Sequence, residues 1–386
     1  MGSNTRAAVH VEKECGRRDR KAFLEVPYRL NRGLPHWVPP LRVAEKAIMD
    51  RKRNPFFEHA EVEHFLARRG RRVVGRIAAI HNRAHNETFE DRLGFFGFFD
   101  AEEDPEAARG LVDAARTWVG ARGLDRIRGP VNYSTNDTCG VLVEGFDRPP
   151  VILMPYNRPY YDTLLKGAGL EEAKDLLAFR ITHESRIPDR LRRVVGKRMA
   201  RSKVVFRPID TKHIDREIDG LLDVYNRCWA DNWGFVPATV AEFRHAAREM
   251  VPILETNLSR VAELDGRPVG LSLMLRDLNV LLHGTNGHLL PRALPRILLR
   301  LKHVKTMRIL ALGVVPECRG RGIAEALFLH CIDEGLRRGY PEGEAGWILE
   351  DNRLMQAPIL AVGGQAVKRY RIYEAPAHAA GQPLHA

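Results

Sequence analysis

The stretch Leu312-Gly313-Val314-Val315-Pro316-Glu317-Cys318-Arg319-Gly320-Arg321-Gly322-Ile323-Ala324 constrains this chain more than any other. An apolar run ends at Pro316, two glycines and two arginines follow, and Ile323, Leu327 and Cys331 then recur on one face of a helix running to Gly339. A strand that feeds a helix through a glycine-lined turn suits a phosphate. The glycines admit close backbone approach, the first helical amides have no intrahelical partner, and the helix dipole adds to them. Arg319 and Arg321 offer charge-assisted hydrogen bonds to the same anion. The plainer alternative, a structural turn with surface arginines, leaves the agreement of strand, spacing and helix unexplained.

With 386 residues the chain is long enough for two domains with separate cores. Its 61 Lys and Arg against 49 Asp and Glu leave a formal charge of +12. Such an excess favours polyanionic company: nucleic acid, acidic lipid headgroups or a phosphorylated cofactor. Cys15, Cys139, Cys228, Cys318 and Cys331 form no CxxC pair, so they read as reduced intracellular thiols and no metal site is expected. No apolar h-region opens the chain and no window approaches a membrane span. A cytoplasmic protein is expected.

Strands and helices interleave twice. Glu61 to Leu66 and Arg72 to Ile80 alternate across a basic turn, Gly94 to Asp100 reads as a buried strand, and a helix starts at Pro105. Strands near Arg126 to Gly129 and Val151 to Met154 then lead to a helix at Tyr160 to Gly167. A basic stretch, Arg190 to Lys203, reads as a linker or connecting helix with a solvated face. The second round has a helix at Ile214 to Trp229, a strand pair at Ser259 to Leu264 and Pro268 to Arg276 around Asp265-Gly266, and a strand at Arg308 to Val315. The expected architecture is α/β: two tandem units, 1–185 and 186–386, each a mixed, mostly antiparallel sheet flanked by helices.

Arg319-Gly320-Arg321-Gly322-Ile323-Ala324 resembles the Arg/Gln-x-x-Gly-x-Gly/Ala pyrophosphate loop of the GNAT acyl-CoA-dependent N-acyltransferases. The resemblance runs from about Val204 to the end. It implies an acyl-CoA co-substrate with its pyrophosphate on the amides of Gly320, Arg321, Gly322, Ile323 and Ala324, and its pantetheine along the strand ending at Val314 and Val315. Trp347-Ile348-Leu349-Glu350-Asp351-Asn352 is similar to the strand and Asn that precede the family's last helix, which makes Asn352 a site candidate. The family's frequent tyrosine acid falls at Ile359, so that acid is missing. Tyr370 and Tyr373 are substitutes or simply packing residues. For the base that deprotonates the amine, Glu350 comes first and His283, read as lying on a strand before Gly284, second.

In the first unit the corresponding helix start is Asp100-Ala101-Glu102-Glu103-Asp104-Pro105, whose carboxylates cap a helix but repel pyrophosphate. That unit is expected not to bind CoA. Its polar run Gly129 to Asp137, with the phrases Gly145 to Pro150 and Met154 to Tyr161, reads either as turn chemistry or as an acceptor pocket. These phrases, with Trp229 to Pro237 and Tyr370 to Glu374, resemble the tandem-GNAT group that includes bacterial ceramide synthases. That resemblance implies transfer of a fatty acyl group to the amine of a sphingoid base. Between Gly284 and Met307, Leu294, Ile297, Leu298, Leu301 and Val304 form an apolar stripe beside Arg292, Arg296, Arg300, Lys302 and Lys305. This helix, 292–305, either packs on its own domain, covers an acyl tunnel, or lies on an anionic bilayer at the inner membrane face. Two other functions stay open: an aminoacyl-tRNA-dependent transferase, to which +12 would be suited and the Arg319 loop superfluous, and a non-catalytic CoA- or lipid-binding protein. Nucleic acid is not the expected partner.

Overall fold

The computed structural model describes residues 7–185 and 187–378. The strands are β1 (Val9–Lys13), β2 (Ala60–Arg69), β3 (Arg72–Asn82), β4 (Leu93–Ala101), β5 (Arg126–Gly129), β6 (Val141–Glu144), β7 (Glu171–Thr182), β8 (Val204–Arg207), β9 (Arg260–Leu264), β10 (Arg267–Arg276), β11 (Thr306–Val314), β12 (Glu342–Leu349) and β13 (Gln365–Pro376). They form two compact units, and the chain leaves each unit and re-enters it. Unit 1 is Met1–Asp175, Gly284–Leu289 and Tyr370–Ala386; unit 2 is Leu176–His283 and Leu290–Arg369. The first boundary thus falls at Asp175, inside β7, where the sequence suggests 185. The segments after 283 and 369 join the first unit because their hydrogen bonds are there. Arg42 N donates to Gly287 O at 3.0 Å, and β13 pairs with β5 from Tyr373↔Gly129 to Pro376↔Arg126.

Unit 1 orders its strands β1-β2-β3-β4-β5-β13, with β6 on β13. The β1, β2, β3 and β4 neighbours are antiparallel, and β4 and β5 are parallel. The Pro105–Gly120 helix packs Ala107, Ala108, Leu111, Val112, Ala115, Trp118 and Val119 into this core. Asp104 starts it by accepting from Glu106 N and Ala107 N, with Pro105 at the first helical position.

Unit 2 orders its strands β7-β12-β11-β10-β9-β8, antiparallel except for the parallel β11–β12 pair. The Ile214–Trp229 helix buries Ile218, Leu221, Leu222, Val224 and Cys228. The Ile323–Arg337 helix buries Ile323, Leu327, Phe328, Cys331 and Ile332. Both follow the period of a one-sided apolar helix.

Two local expectations change, and the connecting-helix alternative for 190–203 holds. Val151 to Met154 is a turn, with Leu153 at φ 61°, and the strand of that region is β6. The stretch 190–203 is largely a helix, Asp189–Ala200, with Val195 buried. His283 follows a short helix, Asn279–Leu282, and is exposed, because β10 has already ended at Arg276.

Candidate active site

In unit 2 the parallel strands β11 and β12 pair only from Thr306↔Glu342 to Ile309↔Ala345. Beyond that, β11 stays on β10 up to Val314, while β12 follows β7 through Ile348↔Leu177 and Leu349↔Leu176. The strands part into a fork. The Leu310–Val314 edge of β11 faces it without a β12 partner among the described residues. Backbone amides and carbonyls on such an edge are strong hydrogen-bonding groups, ready for an extended amide chain.

The fork leads to the loop. Pro316–Cys318 makes one tight turn, and Gly320 (φ 74°) and Gly322 (φ 88°) take the left-handed conformation that glycine alone adopts cheaply. Gly322 is the N-cap of the Ile323–Arg337 helix and supplies no side-chain cap. The first amides of this helix therefore keep their donors and the positive end of the dipole. Val314 and Val315 are buried, Ala324 is half-buried, and Arg321 is exposed.

Arg319 braces the loop from within. Its Nη2 donates to Cys228 O at 3.0 Å and its Nε to Val314 O at 3.3 Å, tying the loop to the Ile214–Trp229 helix and to β11. Arg198 was invisible as a site residue, since nothing local separates it from the other arginines of its helix. Its Nη1 donates to Gly320 O at 3.4 Å, and its Cδ would lie 3.2 Å from a Cβ at Gly322. The helix is held there by a two-pronged Arg192–Asp333 pair at 2.5 and 2.6 Å. Cys228 also borders β11, but burial pushes its thiol up to about 12, so it is no thiolate nucleophile.

The catalytic candidates separate. Glu350 follows β12, half-buried, with its carbonyl accepting from Gln356 Nε2 at 2.9 Å. Asn352 caps the Arg353–Ala361 helix, its Oδ1 accepting from Met355 N at 3.2 Å, so its side chain has a structural task. Ile359 in that helix is buried. His283 lies off any strand, as above. Tyr373 is fully buried in unit 1, and its hydroxyl donates to Asp162 Oδ1 at 2.6 Å. Burial, then that hydrogen bond, raises its pKa well above the usual tyrosine value. Tyr373 holds its proton as a core residue. Arg308, with its side chain inside the β11–β12 pair, was missed: it is 2% exposed and donates to Gly346 O from Nε and Nη2 at 3.1 and 2.9 Å.

Unit 1 has a matching fork. There β4 and β5 pair from Leu93↔Arg126 to Phe95↔Arg128. The polar run Gly129 to Asp137 enters the opening: Val131 N donates to Phe96 O at 2.8 Å, and Phe98 N donates to Asn132 Oδ1 at 2.8 Å. A Cβ at Gly97 would stand 1.8 Å from Val131 O, so the two backbones touch. At the helix start Asp104 and Glu106 bind Arg69 at 2.7 Å, and Glu102 binds Arg29 at 2.7 Å.

Residues 218–356 match the model of the acetyltransferase (GNAT) family. The chain is 38% identical over 361 residues to a protein of Caulobacter vibrioides named bacterial ceramide synthase, covering 92% of this chain and 94% of the relative. The chain belongs to the tandem-GNAT acyltransferases. It is also 32% identical over 371 residues to protein YghO of Escherichia coli K12, covering 94% of both. Among solved structures, a tandem GNAT protein from the clavulanic acid pathway shares the fold at TM-score 0.56 and 13% identity, over 96% of this chain and 99% of that one. The GNAT family uses acyl-CoA as co-substrate and an amine as acceptor. No helix among the described residues is long and apolar enough to cross a membrane.

Proposed function

We propose that this acyltransferase moves a long-chain acyl group from acyl-CoA to the amine of a lipid of the sphingoid-base type, and that unit 2 holds the donor. The fork carries the reading: an open β11 edge ending at an uncapped helix start, with Arg319 and Arg321 at its mouth. Such a site takes the diphosphate on the amides of Gly320 to Ala324 and the two pantetheine amides on Leu310–Val314. The amine then meets the thioester held in line, and positioning supplies much of the rate. The name of the 38%-identical relative supports the sphingoid acceptor. Unit 1, its fork closed, serves as scaffold or acceptor side.

A lipid acceptor has to be met at a surface. Most of the expected stripe of the 292–305 segment is turned inward, with Val304 buried and Leu294, Ile297 and Leu301 half-buried, but Leu298 departs from it and is exposed. The segment exposes Leu298 (73%) and Leu299 (74%), and Leu290 just before it is also exposed (63%), with exposed Arg292, Arg300 and Lys302 nearby in sequence. Arg296 is not part of that surface, since its guanidinium binds the carbonyls of Leu281 and His283 at 3.1 and 3.0 Å. Exposed leucines in a basic rim suit an anionic bilayer.

The deciding experiment is release of free thiol from acetyl-CoA and palmitoyl-CoA against small amines, a peptide amine and a sphingoid base. Turnover confined to long-chain donor and sphingoid base supports the proposal; equal turnover of acetyl-CoA and a small amine overturns it. Co-sedimentation with phosphatidylglycerol vesicles, lost on replacing Leu298 and Leu299 with Ser, tests the surface separately.

A further inference from the structure

We propose that a buried charge cluster at the vertex of the fork, Arg308, Glu344 and Lys368, is the catalytic centre of this acyltransferase: Glu344 takes the proton the amine gives up, and the two cations face the negative charge developing on the thioester. The inference rests on the acyl-CoA reading above and assigns the chemistry that reading leaves open.

Arg308 and Glu344 are register partners in the last stretch where β11 and β12 pair, immediately before the strands diverge. Register partners share a face of the sheet. Lys368 comes in from β13, and its Nζ meets Glu344 Oε2 at 2.5 Å. Arg308 is 2% exposed, Lys368 3% and Glu344 8%. Arg308 holds the carbonyl of Gly346, on the β12 arm just past the vertex, through two of its nitrogens.

Such a cluster is expensive as architecture. Apolar residues of similar volume usually serve a core as well or better. The second oxygen of Glu344, Oε1, has no hydrogen-bond partner among the described residues and is sealed from solvent. A buried acceptor without a donor is uncommon in native structures and calls for an explanation. An incoming amine would supply the missing donor.

Distance places the reaction there. The Leu310–Val314 edge is about 16 Å long at the rise of a β-strand. An extended pantetheine arm starting at the loop and following that edge brings its sulfur to the vertex, beside Ile309 and Arg308. The amine nitrogen attacks the thioester carbonyl carbon and the C–N bond forms. Charge builds on the carbonyl oxygen while Arg308 and Lys368 face it across a dry interior, where fixed charges act most strongly. The proton of the attacking nitrogen passes to Glu344 Oε1. The C–S bond then breaks with its electron pair on sulfur, and the thiolate takes that proton to leave as free thiol. A thiolate supported by fixed cations does not need a tyrosine acid, which fits the buried isoleucine at 359.

The test is the Glu344→Gln variant, close in shape to the native residue, in the full chain with saturating acyl-CoA and amine. General-base removal predicts a fall in kcat of about 100-fold or more. The KM for acyl-CoA and the rise in Tm on adding CoA stay at wild-type values. Wild-type kcat in Glu344→Gln would overturn the proposal. If that variant does not fold, the double variant Glu344→Gln/Lys368→Gln, which removes the ion pair together, is read instead: folded and fully active, it overturns the assignment; folded, CoA-stabilised and slow, it supports it. Lys368→Arg, keeping the charge, should retain most of the rate. Failure of the acyl-CoA reading looks different, because the wild-type chain itself would then release no thiol and gain no stability from CoA.

Discussion

Each unit opens a parallel strand pair into a fork, and the two forks are filled differently. In unit 2 the arms diverge after Ile309↔Ala345, and the helix beyond begins at a glycine that offers no cap. In unit 1 they diverge after Phe95↔Arg128, the chain's own Val131 and Asn132 bond to the open β4 edge, and an aspartate caps the helix. The protein thus satisfies internally in one unit backbone groups that have no strand partner in the other among the described residues. Backbone that stays unpaired in a folded chain is kept so at a cost, which is why the open fork is the place to look for chemistry.

The comparison is broken most directly by making the open loop resemble the closed one. Arg319→Glu with Arg321→Glu should lower kcat/KM for acyl-CoA at least about 100-fold, since each charge-assisted hydrogen bond contributes about 1.5–3 kcal/mol. Steady-state kinetics with a check of Tm decides it, because Arg319 also ties down Cys228 and Val314 carbonyls. Next in size, Gly97→Ala in the closed fork should cost about 3 kcal/mol of stability by forcing Val131 away, with no change in CoA affinity. Calorimetric melting and CoA titration of that variant measure both halves. Asp104→Ala removes a cap and an Arg69 partner, and should cost about 1 kcal/mol while creating no CoA site, because the plug remains.

The smallest effect is one of pH. Burial first, then the charge of Arg128, lowers the pKa of His85 in unit 1 to about 4, against the opposing pull of Asp91. A histidine whose folded pKa is depressed stabilises above its unfolded value and loses that contribution as pH falls. The Tm should therefore decline from about pH 6.5 toward pH 4, and less steeply in His85→Asn. Equal slopes for the two proteins would show that His85 contributes nothing.

Elements with local signals were readable from sequence. The Ile214–Trp229 helix, the β2–β3 and β9–β10 hairpins and the strand-loop-helix at Gly322 follow from periodicity and turn chemistry that neighbouring residues set among themselves. The misses share a cause in contacts remote along the chain. β7 begins with Glu171-Glu172 and shows no clean alternation, so its twelve residues escaped notice. Val151 to Met154 is apolar enough for a strand, but Leu153 at φ 61° turns there. Arg308 and Lys368 look like ordinary surface charges until register buries them. The polar run at Gly129 to Asp137 read equally as turn or pocket, and only the Phe96 and Phe98 backbone reveals it as a plug.

The strand that completes unit 1 emerges from a ribosome after the whole of unit 2. Until Tyr373 to Pro376 exist, β5 waits with its outer edge bare through the synthesis of all of unit 2. An unpaired edge is an invitation to the wrong neighbour. Unit 1, begun first, is thus completed only after unit 2, and deleting Tyr373 to Pro376 would injure the unit that precedes it in sequence.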